Sequence, residues 1–153
     1  MAEPVWFDPL VVAIPARHPL LTYRHVPLDE VVRYPLVLCD PQVCEGFWQQ
    51  LQQVLGTVDT RLTIADRVPT LDLMMALVAA GYGLGFSSLA RITELNNPGV
   101  VARPLAGRPA MLTTYLVRRE SDPAEHLTRF IYRVSPGENL TRLTDHSQAE
   151  EIA

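Results

Sequence analysis

Apolar positions in this chain come in short runs broken by turn residues, and their spacing alternates between strand length and helical period. Leu10 to Ile14, ending at Pro15, is a continuous apolar run that predicts a strand buried on both faces. Ala16 to Leu21 turns the chain. Leu28 to Val32 predicts a short helix begun near Pro27, and a second buried strand follows Pro35 at Leu36 to Cys39. Asp40-Pro41 predicts a helix start, with the carboxylate as cap and proline in the first turn. Phe47, Leu51, Val54 and Leu55 then supply an amphipathic stripe that stops at Gly56. Arg61 to Ala65 predicts a strand, Asp66 to Pro69 a loop, and Thr70 the cap of a further helix.

That helix opens the run Thr70 to Ser88, which reads as apolar helix, glycine turn and short buried strand. The order decides what the glycines do. A dinucleotide fingerprint needs its glycines after a strand and at the opening of a helix. Gly81, Gly83 and Gly85 follow the helix instead, so Gly81 fits a left-handed cap, and Gly83 and Gly85 fit close backbone packing at a strand, Leu84 to Phe86. Leu71, Leu73, Met74, Met75, Leu77 and Val78 leave the helix no wide polar face, which implies a sandwiched helix or a subunit contact. Ser87 or Ser88 can cap a short helix that ends at Asn96 to Gly99. Val100 to Leu105 and Met111 to Arg118 predict two more strands around a Gly107-Arg108-Pro109 turn. Ser121, Asp122, Pro123 and Glu125 form a helix-start signal for the stripe Leu127, Phe130, Ile131 and Val134, and from Ser135 the polar tail has no periodicity and is expected to be mobile.

Composition narrows the function classes. A chain of 153 residues, 48% hydrophobic and 20% charged, is long enough for one or two small domains with real cores. The net charge is −4, and the 13 basic residues are all Arg, scattered singly apart from Arg118 and Arg119, which argues against a nucleic-acid surface. Cys39 and Cys44 stand five apart with no His at metal-finger spacing, so they read as reduced, partly buried thiols, with a redox switch as the alternative. Neither a metal nor another cofactor is implied. The N-terminal segment has no basic region, and its apolar run is far shorter than the roughly 20 residues that span a bilayer, so a cytoplasmic protein with no membrane partner is expected.

LVVAIPARHPL (Leu10 to Leu20), LMMALVAAGYGLGFSSLA (Leu73 to Ala90) and GVVARPLAG (Gly99 to Gly107) occur in an order that resembles the effector-binding region of LysR-type transcriptional regulators, over roughly residues 9 to 134. The resemblance implies an α/β fold like the type 2 periplasmic binding proteins, two subdomains joined by crossover strands with a small effector between them. Residues 10 to 99 would be the second subdomain, residues 100 to 134 a remnant of the first, and residues 135 to 153 a tail. No helix-turn-helix and no first half of the first subdomain can be found, so the chain is expected to be a truncated effector domain without direct nucleic-acid contacts.

Effectors in open α/β sheets bind beyond the carboxyl ends of the strands, near helix N-termini. Those places here are Asp40, Pro41, Gln42 and Val43, then Arg67 and Thr70, then Ser87 and Ser88, with Phe86 and Trp48 able to face an aromatic ligand. Capping by Asp40, Thr70 and Ser88, and core packing by the aromatics, account for the same residue types. Asp40 at the mouth would disfavour an anion unless an Arg such as Arg67 offsets it. The expected partner is a small organic effector, aromatic or carboxylate, together with a second copy of the chain covering Met111 to Val117 and the apolar helix from Leu71. Catalytic motifs are absent: there is no H-E-x-x-H, G-x-S-x-G or P-loop, and the pair Asp40 and Asp66 is explained by capping and solvation. An interaction module that dimerises, or pairs with full-length regulators without ligand, is the alternative function. A solute-binding role would require export.

Overall fold

A computed structural model of the chain describes residues 2–117 and 125–134. The described elements in order are β1 (Ala2–Pro15), a 3-10 turn (Pro19–Thr22), α1 (Leu28–Val31), β2 (Leu36–Cys39), α2 (Glu45–Leu55), β3 (Ile64–Val68) and α3 (Leu71–Ala79). They continue with β4 (Gly85–Ser88), α4 (Leu89–Leu95), β5 (Val100–Pro104), β6 (Met111–Val117) and α5 (Glu125–Val134). The helix-start signal at Ser121 to Pro123 and the tail from Ser135 lie outside the described residues.

The chain divides into two compact units, Asp8–Leu112 and Met1–Phe7 with Thr113–Ala153. In the larger unit β1 is the central strand. It pairs antiparallel with β4 on one side, Val12 opposite Phe86, and with β5 on the other, Val12 opposite Arg103. β2 and β3 form a parallel pair, and β2 is tied to the start of β4 by Leu84 N–H donating to the Pro35 carbonyl (2.9 Å) and Val37 N–H to the Leu84 carbonyl (2.8 Å). β2, β3 and β4 therefore present their carboxyl ends together.

Alternation along the strands separates two apolar layers. Leu10, Val12 and Ile14 of β1 join Leu36 and Leu38 of β2, Leu51 and Leu55 of α2, and Phe86 on one face. Val11 and Ala13 join Val37, Val68, Met74, Met75, Val78 and Ile92 on the other. β1 is thus buried on both faces over Leu10 to Ile14, as its unbroken apolar run requires. Each fully buried Leu, Ile or Phe in these layers contributes about 1.5–3 kcal/mol relative to exposure.

α3 ends as its sequence demands. Gly81 has φ +84°, its N–H donates to the Val78 carbonyl, and Tyr82 N–H donates to the Leu77 carbonyl, the paired bonds of a Schellman cap. A Cβ at Gly83 would stand 2.6 Å from the Pro35 carbonyl oxygen, and one at Gly85 2.8 Å from Met74 Sδ, so both glycines permit close packing.

Four expectations need correction. β1 begins at Ala2 rather than Leu10, with Pro4 and Pro9 inside it, because β6 pairs with β1 and extends the ladder beyond the apolar run. α2 begins at Glu45 rather than at Asp40-Pro41, because Cys44 leaves helical geometry (φ −121°, ψ 47°) and Asp40 N–H is still bonded to the Val68 carbonyl. β3 covers Ile64–Val68, so Asp66 and Arg67 are strand residues and not loop; the register against β2 sets this, since only Val68 of the strand is buried. β4 covers Gly85–Ser88, which makes Ser87 a strand residue.

The smaller unit holds the start of β1, the end of β6 and α5. α5 carries an ion pair between Arg129 and Glu125 at 2.6 Å and buries none of its residues.

Candidate functional site

At the carboxyl ends of β2, β3 and β4 the larger unit encloses a cavity of about 300 Å³. Its floor is apolar: Phe47 of α2, Val68 of β3, Met74 of α3 and Phe86 of β4. Polar groups reach it from two helix starts. Thr70 caps α3 by accepting Leu73 N–H at Oγ1 (3.3 Å), and Ser88 caps α4 by accepting Arg91 N–H (3.3 Å). Helix geometry leaves the N–H groups of Leu71 and Asp72, both lining residues, without an intrahelical acceptor. Arg91 in the first turn of α4 is the lining cation and Asp72 the lining carboxylate, while Ser87 brings a buried hydroxyl.

Cys39 and Cys44 line the same space as free thiols. Burial, reinforced by the neighbouring Cys44 and Asp40 and partly offset by a backbone hydrogen bond and Arg67, pushes the Cys39 thiol up to about 11. A thiol held that high is neutral at ordinary pH and a poor nucleophile. Among the described residues the lining carries the hydroxyls of Thr70 and Ser87, the carboxylate of Asp72 and the guanidinium of Arg91. Among the described residues no group of three His, Cys, Asp or Glu is placed to hold a metal ion.

The candidates named from sequence divide here. Thr70, Phe86 and Ser87 line the cavity, whereas Asp40, Pro41, Gln42, Val43, Arg67 and Ser88 do not. Asp40 does not cap α2: its Oδ1 accepts Gln42 N–H (2.9 Å) in an Asx turn, and α2 starts after Cys44 with no side-chain cap. Arg67 is turned onto Trp48, its guanidinium carbon 4.8 Å from the ring centroid. Cys39, Cys44, Phe47, Asp72 and Arg91 were missed. Asp72 and Arg91 could have been found, since each lies in the first turn behind a cap, Thr70 or Ser88, already recognised at a strand end.

A larger cavity, about 470 Å³, lies in the same unit at the amino ends of β2, β4 and β5. The smaller one is the better candidate for the main site because three parallel strand ends and a capped helix start converge on it.

Comparison with known proteins agrees with this architecture. Residues 1–134 match the family model described as LysR substrate binding domain. An uncharacterized HTH-type transcriptional regulator, YnfL of Escherichia coli (strain K12), is 30% identical over 122 residues, and the match covers 76% of this chain and 40% of that protein. The BenM effector binding domain with its effector benzoate is similar in structure, with TM-score 0.73 and 20% identity over 87% of this chain and 63% of that one. The effector binding domain of QuiR in complex with shikimate gives TM-score 0.72 and 18% identity over 84% and 60%. The chain therefore spans about 40% of the curated relative it matches. No helix among the described residues is long and apolar enough to cross a membrane.

Proposed function

Because the chain belongs to the LysR substrate binding domain family, we propose that the cavity at the ends of β2, β3 and β4 is its effector site and that a small ring-bearing carboxylate fills it. One observation carries this reading: the Arg91 side chain and the open N–H groups at the start of α3 border a floor made of Phe47, Met74 and Phe86. A carboxylate is favoured by the cation and the helix start, and a flat ring by the floor. Asp72 and Ser87 would accept hydrogen bonds from ring hydroxyls. Benzoate and shikimate, bound by BenM and QuiR, are both ring carboxylates. On this reading residues 10–99 form the effector-binding subdomain and residues 100–134 part of its partner, the chain works in transcription regulation in the cytoplasm, and it turns over no substrate.

Thermal shift with benzoate and shikimate tests the proposal. A ligand at 100 times its dissociation constant stabilises the fold by about 2.7 kcal/mol. Arg91→Gln removes the lining cation and should abolish most of the shift. Absence of a shift with both acids, or an undiminished shift in Arg91→Gln, overturns the reading.

A second reading, self-association, is favoured by apolar side chains in the smaller unit. Tyr115, Val117, Phe130 and Tyr132 are 56%, 75%, 51% and 80% exposed. Burial of such a surface against a second copy predicts a dimeric mass by light scattering at micromolar concentration, and a monomeric mass rejects it.

A further inference from the structure

The larger cavity, at the far edge of the sheet, has its own chemistry. It is framed by the ARHPL turn after β1, the Tyr34-Pro35 approach to β2, the glycine turn after α3 and Gly99 before β5. We propose that this cavity is a second, separate binding site, for an aromatic carboxylate about the size of a bicyclic acid.

The walls are fixed before any ligand arrives. Ala16 N–H donates to the Gly99 carbonyl (3.0 Å), Leu84 N–H to the Pro35 carbonyl (2.9 Å), and Gly81 N–H to the Val78 carbonyl (2.9 Å). The first bond joins the ARHPL turn to the segment before β5, the second joins the glycine turn to the approach to β2, and the third closes the end of α3.

Flat surfaces line it. The His18 and Tyr34 rings meet edge to face with centroids 4.5 Å apart, and Tyr82 is 65% exposed, so packing does not account for an aromatic residue there. Burial lowers the pKa of His18, and its Nδ1 accepts Leu20 N–H (3.2 Å), so the neutral ring carries its proton on Nε2 as a donor. Among the described residues Arg17 is the one charged residue of the lining, is exposed, and has no ion-pair or hydrogen-bond partner. Aromatic walls with a lone guanidinium and a neutral donor select a planar ring bearing an anion. The volume, about 470 Å³ against about 300 Å³ for the effector cavity, admits a fused bicyclic ring more readily than that cavity does.

The probe is 2-naphthoate, titrated into the full chain and followed by amide NMR. Saturable shifts are expected at Arg17, His18, Gly81, Tyr82 and Gly99. Arg17→Gln and Tyr82→Ala, both exposed positions, should each weaken binding about tenfold, while Arg91→Gln leaves it unchanged. Thermal unfolding of each variant confirms that the fold is kept. The proposal fails if no saturable shift appears by about 10 mM, if the shifts fall at Thr70, Ser87 and Arg91 instead, or if neither Arg17→Gln nor Tyr82→Ala weakens binding. The effector reading is tested by Arg91→Gln with benzoate, so the two proposals fail separately.

Discussion

The guanidinium of Arg67 on β3 lies over the indole of Trp48 on α2, 4.8 Å from the ring centroid. This contact links a strand to the helix on the neighbouring connection, and it gives the charge of Arg67 a neighbour outside the cavity lining. Cation–π contacts at exposed sites are worth about 0.5–1 kcal/mol. Arg67→Ala should lower stability by that amount in urea unfolding and change the Trp48 emission. It should leave benzoate affinity within about twofold, since Arg67 is not part of the cavity lining.

Thr70 closes the open end of α3 through Leu73 N–H. Thr70→Ala should cost about 1 kcal/mol, and Thr70→Ser should restore most of it, because serine is an equal or better cap. Urea midpoints of the three proteins check the order.

Gly83 and Gly85 should respond differently to alanine. The added Cβ at Gly83 meets a backbone carbonyl at Pro35, which cannot move without disturbing β2, and overpacking of that kind costs about 1–3 kcal/mol. At Gly85 the obstacle is the Met74 side chain, whose thioether can shift. Denaturation should therefore rank Gly83→Ala as the more damaging change.

Cys39 makes stability depend on alkaline pH. Its thiol is raised in the fold to about 11 from an ordinary value of 9.0. The contribution is full below about 9 and is lost as pH rises toward 11, where the unfolded chain ionises first. Cys39→Ser should flatten that decline, and iodoacetamide should modify Cys39 more slowly than a free thiol at pH 9.0, the ordinary cysteine value.

His18 acts at the acid end. Burial lowers its pKa from 6.5, so its contribution is present above 6.5 and is lost as pH falls through the lower folded value. Protonation also removes Nδ1 as the acceptor for Leu20 N–H. The urea midpoint of wild type should fall between pH 7.5 and 5, and His18→Asn should reduce the slope; an unchanged slope contradicts the assignment.

Legibility of the fold followed the strength of local chemistry. β2 was readable residue for residue because Leu36 to Leu38 is buried on both faces and Pro35 bounds it. Thr70, Gly81 and Ser88 were readable because a cap has a residue-type signature that depends on its immediate neighbours. β3 was misplaced because its boundaries come from backbone bonding to β2: Ile64 is 40% exposed, while Leu62 packs against the core from outside the strand. Asp40-Pro41 misled for a related reason. An Asx turn and a helix cap call for the same residue, and only the Asp40 N–H bond to Val68 decides between them. Among the cavity-lining residues, Thr70 was legible as a helix cap and Ser87 by its place at a strand end beside the cap Ser88. The thiols and Phe47 depended on which side chains the segment after β2 and the start of α2 turn inward.

The central position of β1 has a kinetic consequence. Its residues Leu10 to Pro15 find their partners at Gly85 to Ser88 and Val100 to Pro104, far along the chain. On a ribosome β1 must wait until the segments that pair with it have been synthesised before its amide ladder closes. At about 5–20 residues per second this leaves an apolar segment uncovered for several seconds. Such non-local pairing places refolding toward the slow, millisecond-to-second end for small domains, and makes this strand the segment that most needs protection while the rest is being made.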